Sequence, residues 1–346
     1  MQFTYRFPSG KVTYYSDQTF DDSFPAGQGR KTVFLTDEHL YSLYRSFFDQ
    51  FNVIVVEAGE RSKTLQSVET VIDRLVRLQA DRHTLLCGAG GGVITDLAGF
   101  VGAVYMRGIQ VALIPTSLLA MVDAALGGKN GVNLGLYKNM IGTVRQPEFI
   151  WINNSFLSSL PAAEWSNGLA EVIKYGCIFE PALLELAAQI DLNAPLNNPE
   201  LISEIINRCV RLKNEVVASD EQETGLRKVL NFGHTVAHAI ENKHSLPHGS
   251  AVSIGMLFAC RLSEKYTGLD KDFSQRLRVV LEGAGLPLSL NFDAADIFSV
   301  LKMDKKKSGD SIDFILLEQP GNAVVRNIPL DTVYNELIAY VHEGHR

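Results

Sequence analysis

Short apolar strands alternate with helical patterns through the first half of this 346-residue chain. Strands are predicted at 31–37, 51–60, 83–92 and 111–119, and helices at 67–80 and 93–106. An alternation of this kind predicts a parallel sheet with helices packed against it. The strand at 83–92 also runs into glycines immediately before the next helix, a pattern typical of ligand-binding α/β domains.

The second half of the chain is mostly helical in pattern. From about Ala162, apolar residues recur with the period of a helix in four segments, 164–179, 199–219, 229–243 and 251–266. A late hairpin is predicted at 313–328, with its turn at Pro-Gly-Asn. Because the pattern breaks near 150–160, we predict an α/β domain over 1–158 and an all-α, or mainly helical, domain over 159–346.

Composition limits the classes of partner and the compartment. The formal net charge of -7 argues against nucleic acid or an anionic membrane as the partner. The four cysteines form no CxxC pair and the first residues lack an apolar signal core, so we expect a cytoplasmic protein with reduced thiols. The apolar stretch 109–126 is interrupted by Pro115 and Asp123, so no transmembrane span is expected.

The glycine-rich turn GAGGGVITD at 88–96 follows a strand and begins a helix. Glycines there allow the backbone to approach a pyrophosphate, and the helix N-terminus offers unpaired N–H donors. The spacing is not the common GxGxxG pattern, and glycines also serve ordinary tight turns. The turn alone therefore indicates either a nucleotide site or a structural loop.

A second unusual stretch, 121–142, places charged and amide side chains among glycines. Asp123, Lys129, Lys138 and Asn139 all lie in it. Lysines beside glycine-rich backbone suit an anionic ligand, whereas the alternative is a solvated loop with scattered charges.

Carboxylate and imidazole side chains recur on the predicted helices of the second half. Glu171 and Lys174 share a helix face, although a single pair of this kind can be a surface ion pair. His234 and His238 also share a face, and His248 begins the next helix. One glutamate and two histidines would meet the need of catalytic zinc for three protein ligands, but metal-ligand spacing alone does not identify them.

A polar stripe with apolar neighbours is predicted in the same region. On a single helix, Arg227, Asn231, His234 and His238 would line one face. Such a stripe is hard to explain as a solvated face, so it predicts a buried polar pocket for an anionic ligand.

Together these residues resemble the 3-dehydroquinate synthase family. The resemblance runs from about Glu57 to Leu317. The segments that carry it are GERSK (59–63), GGGVITDLAGFV (90–101), YMRGI (105–109), IPTSLLAMVD (114–123), GGKNGVN (127–133), KNMIG (138–142), LAEVIKYG (169–176), DEQETGLRKVLNFGHTVAHAIE (220–241), HGSAVSIGM (248–256) and DKK (304–306).

The resemblance implies an N-terminal Rossmann-like NAD domain and a C-terminal helical domain, with the active site in the cleft between them. The implied ligands of a zinc or cobalt ion are Glu171, His234 and His248. The implied NAD contacts are Glu60, Lys63, Gly91, Gly92, Val93, Ile94, Thr95, Asp96, Thr116, Ser117, Lys129, Lys138, Phe156, Leu157, Ser158 and Ser159. The implied substrate contacts are Asp123, Lys129, Asn139, Lys174, Lys213, Arg227, Asn231, His238, and Lys305 or Lys306. Arg107 is implied to reach the neighbouring subunit's site, because the family is usually dimeric.

The implied substrate is 3-deoxy-D-arabino-heptulosonate 7-phosphate, and the implied product is 3-dehydroquinate. The implied reaction is a transient oxidation by NAD at C5, β-elimination of phosphate, return of the hydride, ring opening and intramolecular aldol closure. The phosphate itself can accept the proton, so a dedicated protein base is not required. Lysine and arginine suit a substrate that carries both phosphate and carboxylate.

Some residues differ from the family's pattern, mostly on the side expected to bind NAD. These are Thr95 in place of glycine, Ala124 and Ala125 in place of small hydroxyl residues, Ser117 and Asn130 in place of threonines, and WINN (151–154) without its usual aspartate. Three alternatives are a sister sugar-phosphate cyclase, a metal-dependent polyol dehydrogenase that releases NADH, and a non-catalytic relative.

Overall fold

A computed structural model describes residues 2–16, 29–135, 137–244, 246–302 and 307–344. The chain divides into two compact units, each described below by itself. The first unit is Met1–Leu160 with Ile202–Gln222, and the second is Pro161–Leu201 with Glu223–Arg346. Lys305 and Lys306, one of which is expected near substrate, lie outside the described residues.

The first unit is built on a seven-stranded sheet. Its strands are β1 (Gln2–Phe7), β2 (Gly10–Ser16), β3 (Thr32–Asp37), β4 (Asn52–Val56), β5 (Leu85–Gly90), β6 (Gln110–Pro115) and β9 (Phe149–Ile152). Their order is β1-β2-β9-β6-β5-β3-β4. The β1–β2 pair is antiparallel and all other neighbours in this sheet are parallel. The predicted parallel α/β sheet is therefore confirmed.

The helices of the first unit follow its strands, and one hairpin lies outside the main sheet. The helices are α1 (Glu38–Leu43), α2 (Arg45–Phe48), α3 (Leu65–Arg77) and α4 (Gly92–Val104). The hairpin pairs β7 (Lys129–Leu134) with β8 (Tyr137–Val144) in antiparallel register.

The glycine-rich turn lies at the switch point of the main sheet. From β3 the chain continues to β4 on one side, and from β5 it continues to β6 on the other. The carboxyl ends of β3 and β5 are thus at the place where open α/β sheets bind ligands. Helix α4 can approach β5 closely because residue 88 is a glycine. A Cβ atom there would lie only 2.4 Å from the Cβ atom of Ala98.

The second unit is mainly helical. Its elements are α5 (Ala162–Ile178), α6 (Ala182–Ala187), the start of α7 (Pro199–Ser219), α8 (His234–His244), α9 (His248–Tyr266), α10 (Lys271–Gly283), α11 (Ala294–Leu301), β10 (Lys307–Ser308), β11 (Ser311–Gln319), β12 (Asn322–Pro329) and α12 (Leu330–Gly344). Helix α9 packs against both α5 and α8. The late hairpin predicted from sequence is confirmed as β11–β12, with β10 as a third strand. The predicted fold class, an α/β domain followed by a mainly helical one, is also confirmed.

Most of helix α7 belongs to the first unit, although the sequence placed it in the second domain. Buried Tyr14 Oη donates a hydrogen bond to Asn214 Oδ1 at 2.7 Å. Asn154 Nδ2 donates to Ser203 Oγ at 2.8 Å. These bonds join residues far apart in the chain, so they could not be predicted from local periodicity. Within the described residues, no helix is long and apolar enough to cross a membrane.

Candidate active site

Three side chains of the second unit converge as a possible metal-ligand cluster. Glu171 lies on α5, His234 begins α8 and His248 begins α9. Each offers one ligand atom, and these atoms lie within 4.8 Å of one another. Glu171 and His234 are buried, and His248 is half-buried. The structure therefore brings together the three residues that the family resemblance implied.

The orientation of His234 leaves two acceptor atoms facing each other. Its Nδ1 lies 3.1 Å from the carbonyl oxygen of Phe232, which can only accept, so Nδ1 carries the proton of the neutral ring. The unprotonated Nε2 then lies 3.4 Å from Glu171 Oε1, which is also an acceptor. A bound cation or a second ring proton between the two atoms would make this contact favourable. One carboxylate and two imidazoles are a usual ligand set for catalytic zinc, so the residues present fit a divalent ion.

His248 is oriented in the same way by a different acceptor. Its Nδ1 lies 2.9 Å from Glu241 Oε1, and its Nε2 lies 3.2 Å from Glu171 Oε1. Both imidazoles therefore present Nε2 to the same oxygen of Glu171. Glu241 was missed in the sequence, where only its position two helical turns after His234 could have indicated it.

The electrostatics of the cluster favour a charged carboxylate and a neutral His234. Burial opposes ionisation of Glu171, but Lys174 and His234 hold the pKa of that carboxyl well below its usual range. Burial lowers the pKa of His234, which keeps its ring neutral and able to bind a metal. For His248, burial is outweighed by hydrogen bonds to Glu171 and Glu241, which raise its pKa to about 10. Lys174 forms a buried ion pair with the other oxygen of Glu171.

Two glycines allow the histidine helices to meet. Gly233 has a φ of +77°, and a Cβ on Gly255 of α9 would lie 2.0 Å from the Gly233 carbonyl oxygen. Only a residue without a side chain fits at 255. Because His234 follows Gly233 directly, this contact sets where α8 begins and where the His234 ring lies.

The predicted single-helix stripe is wrong. Arg227 and Asn231 lie in a 3-10 segment, Leu226–Asn231, and α8 begins only at His234. The left-handed Gly233 interrupts the helix, so the four residues do not share one helix face. Arg227 is nonetheless buried, at 1% exposure, and the His238 ring packs edge-on to His234 with centroids 5.5 Å apart.

Glu223 joins this region and was also missed in the sequence. Asn231 Nδ2 donates to Glu223 Oε1 at 2.6 Å, and Glu223 itself has a left-handed φ of 59°. A non-glycine residue in this conformation is uncommon and often marks a functional position. Nothing in the local sequence distinguishes Glu223 from its neighbouring acidic residues.

The residues expected to bind NAD lie around the glycine-rich turn of the first unit. Gly91 precedes the first turn of α4, and that turn contains Gly92, Val93, Ile94 and Thr95. Thr116 and Ser117 follow β6 and are buried. The Thr116 amide donates to the Gly90 carbonyl at 3.0 Å, so the two segments are adjacent.

A buried lysine connects three of the predicted residues. Lys63 Nζ donates to Asp96 Oδ2 at 2.5 Å and to Asn139 Oδ1 at 2.6 Å. Burial raises the pKa of Asp96, and the charge of Lys63 opposes that rise. Asn133, which the sequence analysis missed, completes the network. Its side-chain Nδ2 donates to Glu60 Oε1 at 2.8 Å, and its Oδ1 accepts from the backbone N–H of Asn139 at 2.9 Å.

Other predicted residues of the first unit are spread over several elements. Lys213 Nζ, on α7, donates to the backbone carbonyl oxygen of Asp123 at 2.6 Å and pairs with the Asp123 carboxylate at 2.9 Å. Lys129 is exposed and Lys138 is half-buried, both on the β7–β8 hairpin. Arg107 is exposed in a turn after α4, with a left-handed φ of 64°.

The 3-10 segment Asn154–Ser159 holds the remaining NAD prediction. Phe156 and Leu157 are buried, and Phe156 packs edge-on against Tyr44 with centroids 5.0 Å apart. Ser158 is exposed and Ser159 half-buried. Burial against Tyr44 favours a packing role for Phe156. The serine hydroxyls donate within the segment, Ser158 to the Ser155 carbonyl and Ser159 to the Phe156 carbonyl.

Several residues that depart from the family's pattern meet in one small cavity of the first unit. Thr95, Ala124, Ala125 and Asn130 all line it. Thr95 Oγ1 donates within its own helix, to the Gly92 carbonyl at 3.1 Å. These four departures from the family's pattern are therefore neighbours in the structure and line the same cavity.

Comparison with known proteins gives matches over both halves of the chain. A family model described as 3-dehydroquinate synthase N-terminal matches residues 53–167, and one described as 3-dehydroquinate synthase C-terminal matches residues 168–307. A 3-dehydroquinate synthase of Campylobacter jejuni subsp. doylei is 41% identical over 285 residues, which cover 80% of this chain and 81% of the relative.

Solved structures with the same fold include two synthases with NAD+ and a divalent metal ion bound. A 2-epi-5-epi-valiolone synthase from Streptomyces hygroscopicus subsp. jinggangensis, with NAD+ and Zn2+ bound, aligns with a TM-score of 0.88 at 24% identity, covering 96% of each chain. A 2-deoxy-scyllo-inosose synthase complexed with carbaglucose-6-phosphate, NAD+ and Co2+ aligns with a TM-score of 0.86 at 23% identity, covering 97% of this chain and 99% of the other. At these identities the likeness shows the fold.

Proposed function

We propose that this chain, which belongs to the 3-dehydroquinate synthase family, converts 3-deoxy-D-arabino-heptulosonate 7-phosphate into 3-dehydroquinate and phosphate. The observation that carries the proposal is the cluster of Glu171, His234 and His248 in a chain matched by both family models. The enzyme would be a phosphate-eliminating lyase that uses NAD and zinc or cobalt. Its place would be the shikimate pathway of aromatic amino-acid biosynthesis.

Glu171, His234 and His248 would hold the divalent ion. When bound, that ion supplies Lewis acidity toward a substrate oxygen. The chain's own contribution is to keep His234 neutral by burial and to hold Nε2 of both imidazoles toward Glu171 Oε1. Lys174 would keep Glu171 ionised and would contact substrate beside the ion.

The glycine-rich turn and its neighbours would hold NAD. When bound, NAD supplies a reversible hydride acceptor. The unpaired N–H groups at the start of α4 suit its pyrophosphate. The Lys63 network would orient the remaining contacts, because it joins Asp96 on α4 to Asn139 on the hairpin and, through Asn133, to Glu60.

The substrate carries a phosphate and a carboxylate, and the chain offers cations and amides for both. The proposed contacts are Asp123, Lys129, Asn139, Lys174, Lys213, Arg227, Asn231 and His238, with Lys305 or Lys306 added from outside the described residues. Because leaving phosphate can accept the proton itself, the protein supplies position and charge rather than a dedicated base. Buried Arg227 is suited to bidentate binding of one anionic group.

The substrate assignment is tested by incubating the protein, zinc and NAD separately with the heptulosonate phosphate and with sedoheptulose 7-phosphate. Product identified by NMR as 3-dehydroquinate from the first substrate alone is the expected result. A valiolone-type product from sedoheptulose 7-phosphate would replace the proposal with a sister cyclase.

Lys63→Met is expected to weaken NAD binding about 10- to 100-fold, because a buried charged hydrogen bond contributes about 1.5–3 kcal/mol. The substitution leaves the Asp96 carboxylate without its cation and releases Asn139. Calorimetric titration with NAD measures the change.

Exposed Lys11→Met is the matched control and should bind NAD like the unchanged protein. Zinc affinity should be unchanged in both variants, because the metal cluster belongs to the other unit. A dissociation constant for NAD within twofold of normal in Lys63→Met would remove Lys63 from the cofactor site.

We also propose a cytoplasmic homodimer in which Arg107 acts on the partner subunit's substrate. Met106 and Arg107 both have a left-handed backbone conformation. Two such residues in succession are uncommon, and the exposed Arg107 side chain is presented by this strained turn. The buried thiols of Cys87, Cys177, Cys209 and Cys260 form no disulfides, which is consistent with a reducing compartment.

Mixing inactive Arg107→Ala and Glu171→Gln proteins is expected to restore activity if subunits exchange. In a mixed dimer, one site would have an intact Glu171 and receive Arg107 from the partner. Steady-state phosphate release after co-refolding measures this recovery, up to one working site per mixed dimer. If co-purified mixed dimers form and remain inactive, Arg107 acts within its own subunit.

A further inference from the structure

We propose that Glu241 is a positioning residue of the metal site: its buried carboxylate accepts the Nδ1 proton of His248 and so holds Nε2 toward Glu171. The inference deepens the proposed function and rests on metal binding by Glu171, His234 and His248. Glu241 would be a fourth side chain of the site and, unlike the three ligands, would not touch the metal. Glu241 would act through the geometry and basicity of one ligand.

The position of Glu241 follows from helix α8. It lies seven residues, or two helical turns, after His234, so both side chains project from the same face of α8. His248 at the start of α9 lies against that face. One helix therefore supplies a metal ligand and the residue that orients another ligand.

His248 has the greatest need of such support. The Glu171 side chain is fully buried and that of His234 is 10% exposed, whereas that of His248 is 29% exposed. Packing therefore restrains the first two more than the third. The 2.9 Å contact from His248 Nδ1 to Glu241 Oε1 fixes a ring that packing leaves partly open. The Glu241 side chain is only 2% exposed, so water competes little for this bond.

The chemistry of the two imidazoles differs because their acceptors differ. His234 donates from Nδ1 to a neutral carbonyl, while His248 faces a carboxylate. A carboxylate acceptor fixes the tautomer and makes the imidazole a stronger metal ligand, and loss of such an acceptor typically costs 10- to 100-fold in metal affinity.

The test is zinc affinity of metal-free Glu241→Gln and Glu241→Ala proteins, measured by competition with a chelating dye. Glu241→Gln keeps the shape and an acceptor oxygen but removes the charge, so about a tenfold weakening is expected. Glu241→Ala also removes the acceptor, so the loss should approach about 100-fold. The visible spectrum of the Co2+-loaded variants should change in band position or intensity, which reports ligand geometry independently of activity.

Glu336→Gln is the matched control. Glu336 is also a buried carboxylate of the second unit, but it pairs with Arg261 and Lys265. Its variant should keep normal zinc affinity and the normal Co2+ spectrum. Zinc affinity within twofold of normal in both Glu241 variants, with an unchanged Co2+ spectrum, would overturn the inference. Failure of the unchanged protein to bind zinc would instead refute the proposed metal site.

Discussion

Glu171→Gln is expected to lose zinc binding and to lower kcat/KM by about 1,000-fold or more, because a catalytic ion contributes several kcal/mol of charge stabilisation. Glu171 Oε1 is the atom that faces Nε2 of both His234 and His248. A neutral amide is a poor ligand, and its carbonyl cannot balance the ion's charge. Zinc content after dialysis and steady-state phosphate release measure the two effects.

Glutamine is preferred to alanine at 171 because Lys174 is buried beside it. Alanine would remove the carboxylate that pairs with this buried cation, which can cost about 3–5 kcal/mol of folding free energy. A loss of activity could then reflect unfolding instead of loss of the metal site. Exposed Glu164→Gln on the same helix is the control and should behave normally. A folded Glu171→Gln protein with normal zinc content and activity would refute the ligand assignment.

Gly255→Ala is expected to lower the free energy of unfolding by about 1–3 kcal/mol or more and to weaken zinc binding. The new methyl group would lie 2.0 Å from the Gly233 carbonyl oxygen, so α9 and the start of α8 must move apart. His234 and His248 lie on these two helices and would separate with them. Thermal unfolding and zinc titration measure the two consequences.

Gly283→Ala provides the matched comparison. It lies in the last turn of α10 with no atom within 4 Å of the added methyl group. The same change there should leave stability unaffected or raise it slightly, since alanine favours helices. Normal zinc affinity in Gly255→Ala would mean that the close glycine contact does not set the metal geometry.

The local parts of the fold could be predicted from the sequence. The strand–glycine–helix pattern at 83–106 predicted β5, its turn and α4, because apolar periodicity and glycine content are local properties. The late hairpin was predicted for the same reason. The return of α7 to the first unit was not, since it depends on side-chain bonds such as Tyr14 to Asn214, 200 residues apart.

The candidate site shows the same division. No spacing rule relates Glu171 to His234 and His248, and only the family resemblance implied that they meet. Periodicity continued a helix through Gly233, where the backbone in fact turns left-handed. Glu241 and Asn133 are part of the site only because of the residues that they contact in the folded chain. Their residue types alone therefore did not mark them as site residues in the sequence. The sequence-based roles assigned to individual NAD and substrate residues remain predictions.

The most direct test of the proposed reaction follows phosphate and NADH together in one incubation with the heptulosonate phosphate, zinc and a small amount of NAD. We expect phosphate in large excess over NAD, with no lasting NADH absorbance, because the hydride returns in every cycle. NADH that accumulates without phosphate would contradict the account and identify a dehydrogenase instead.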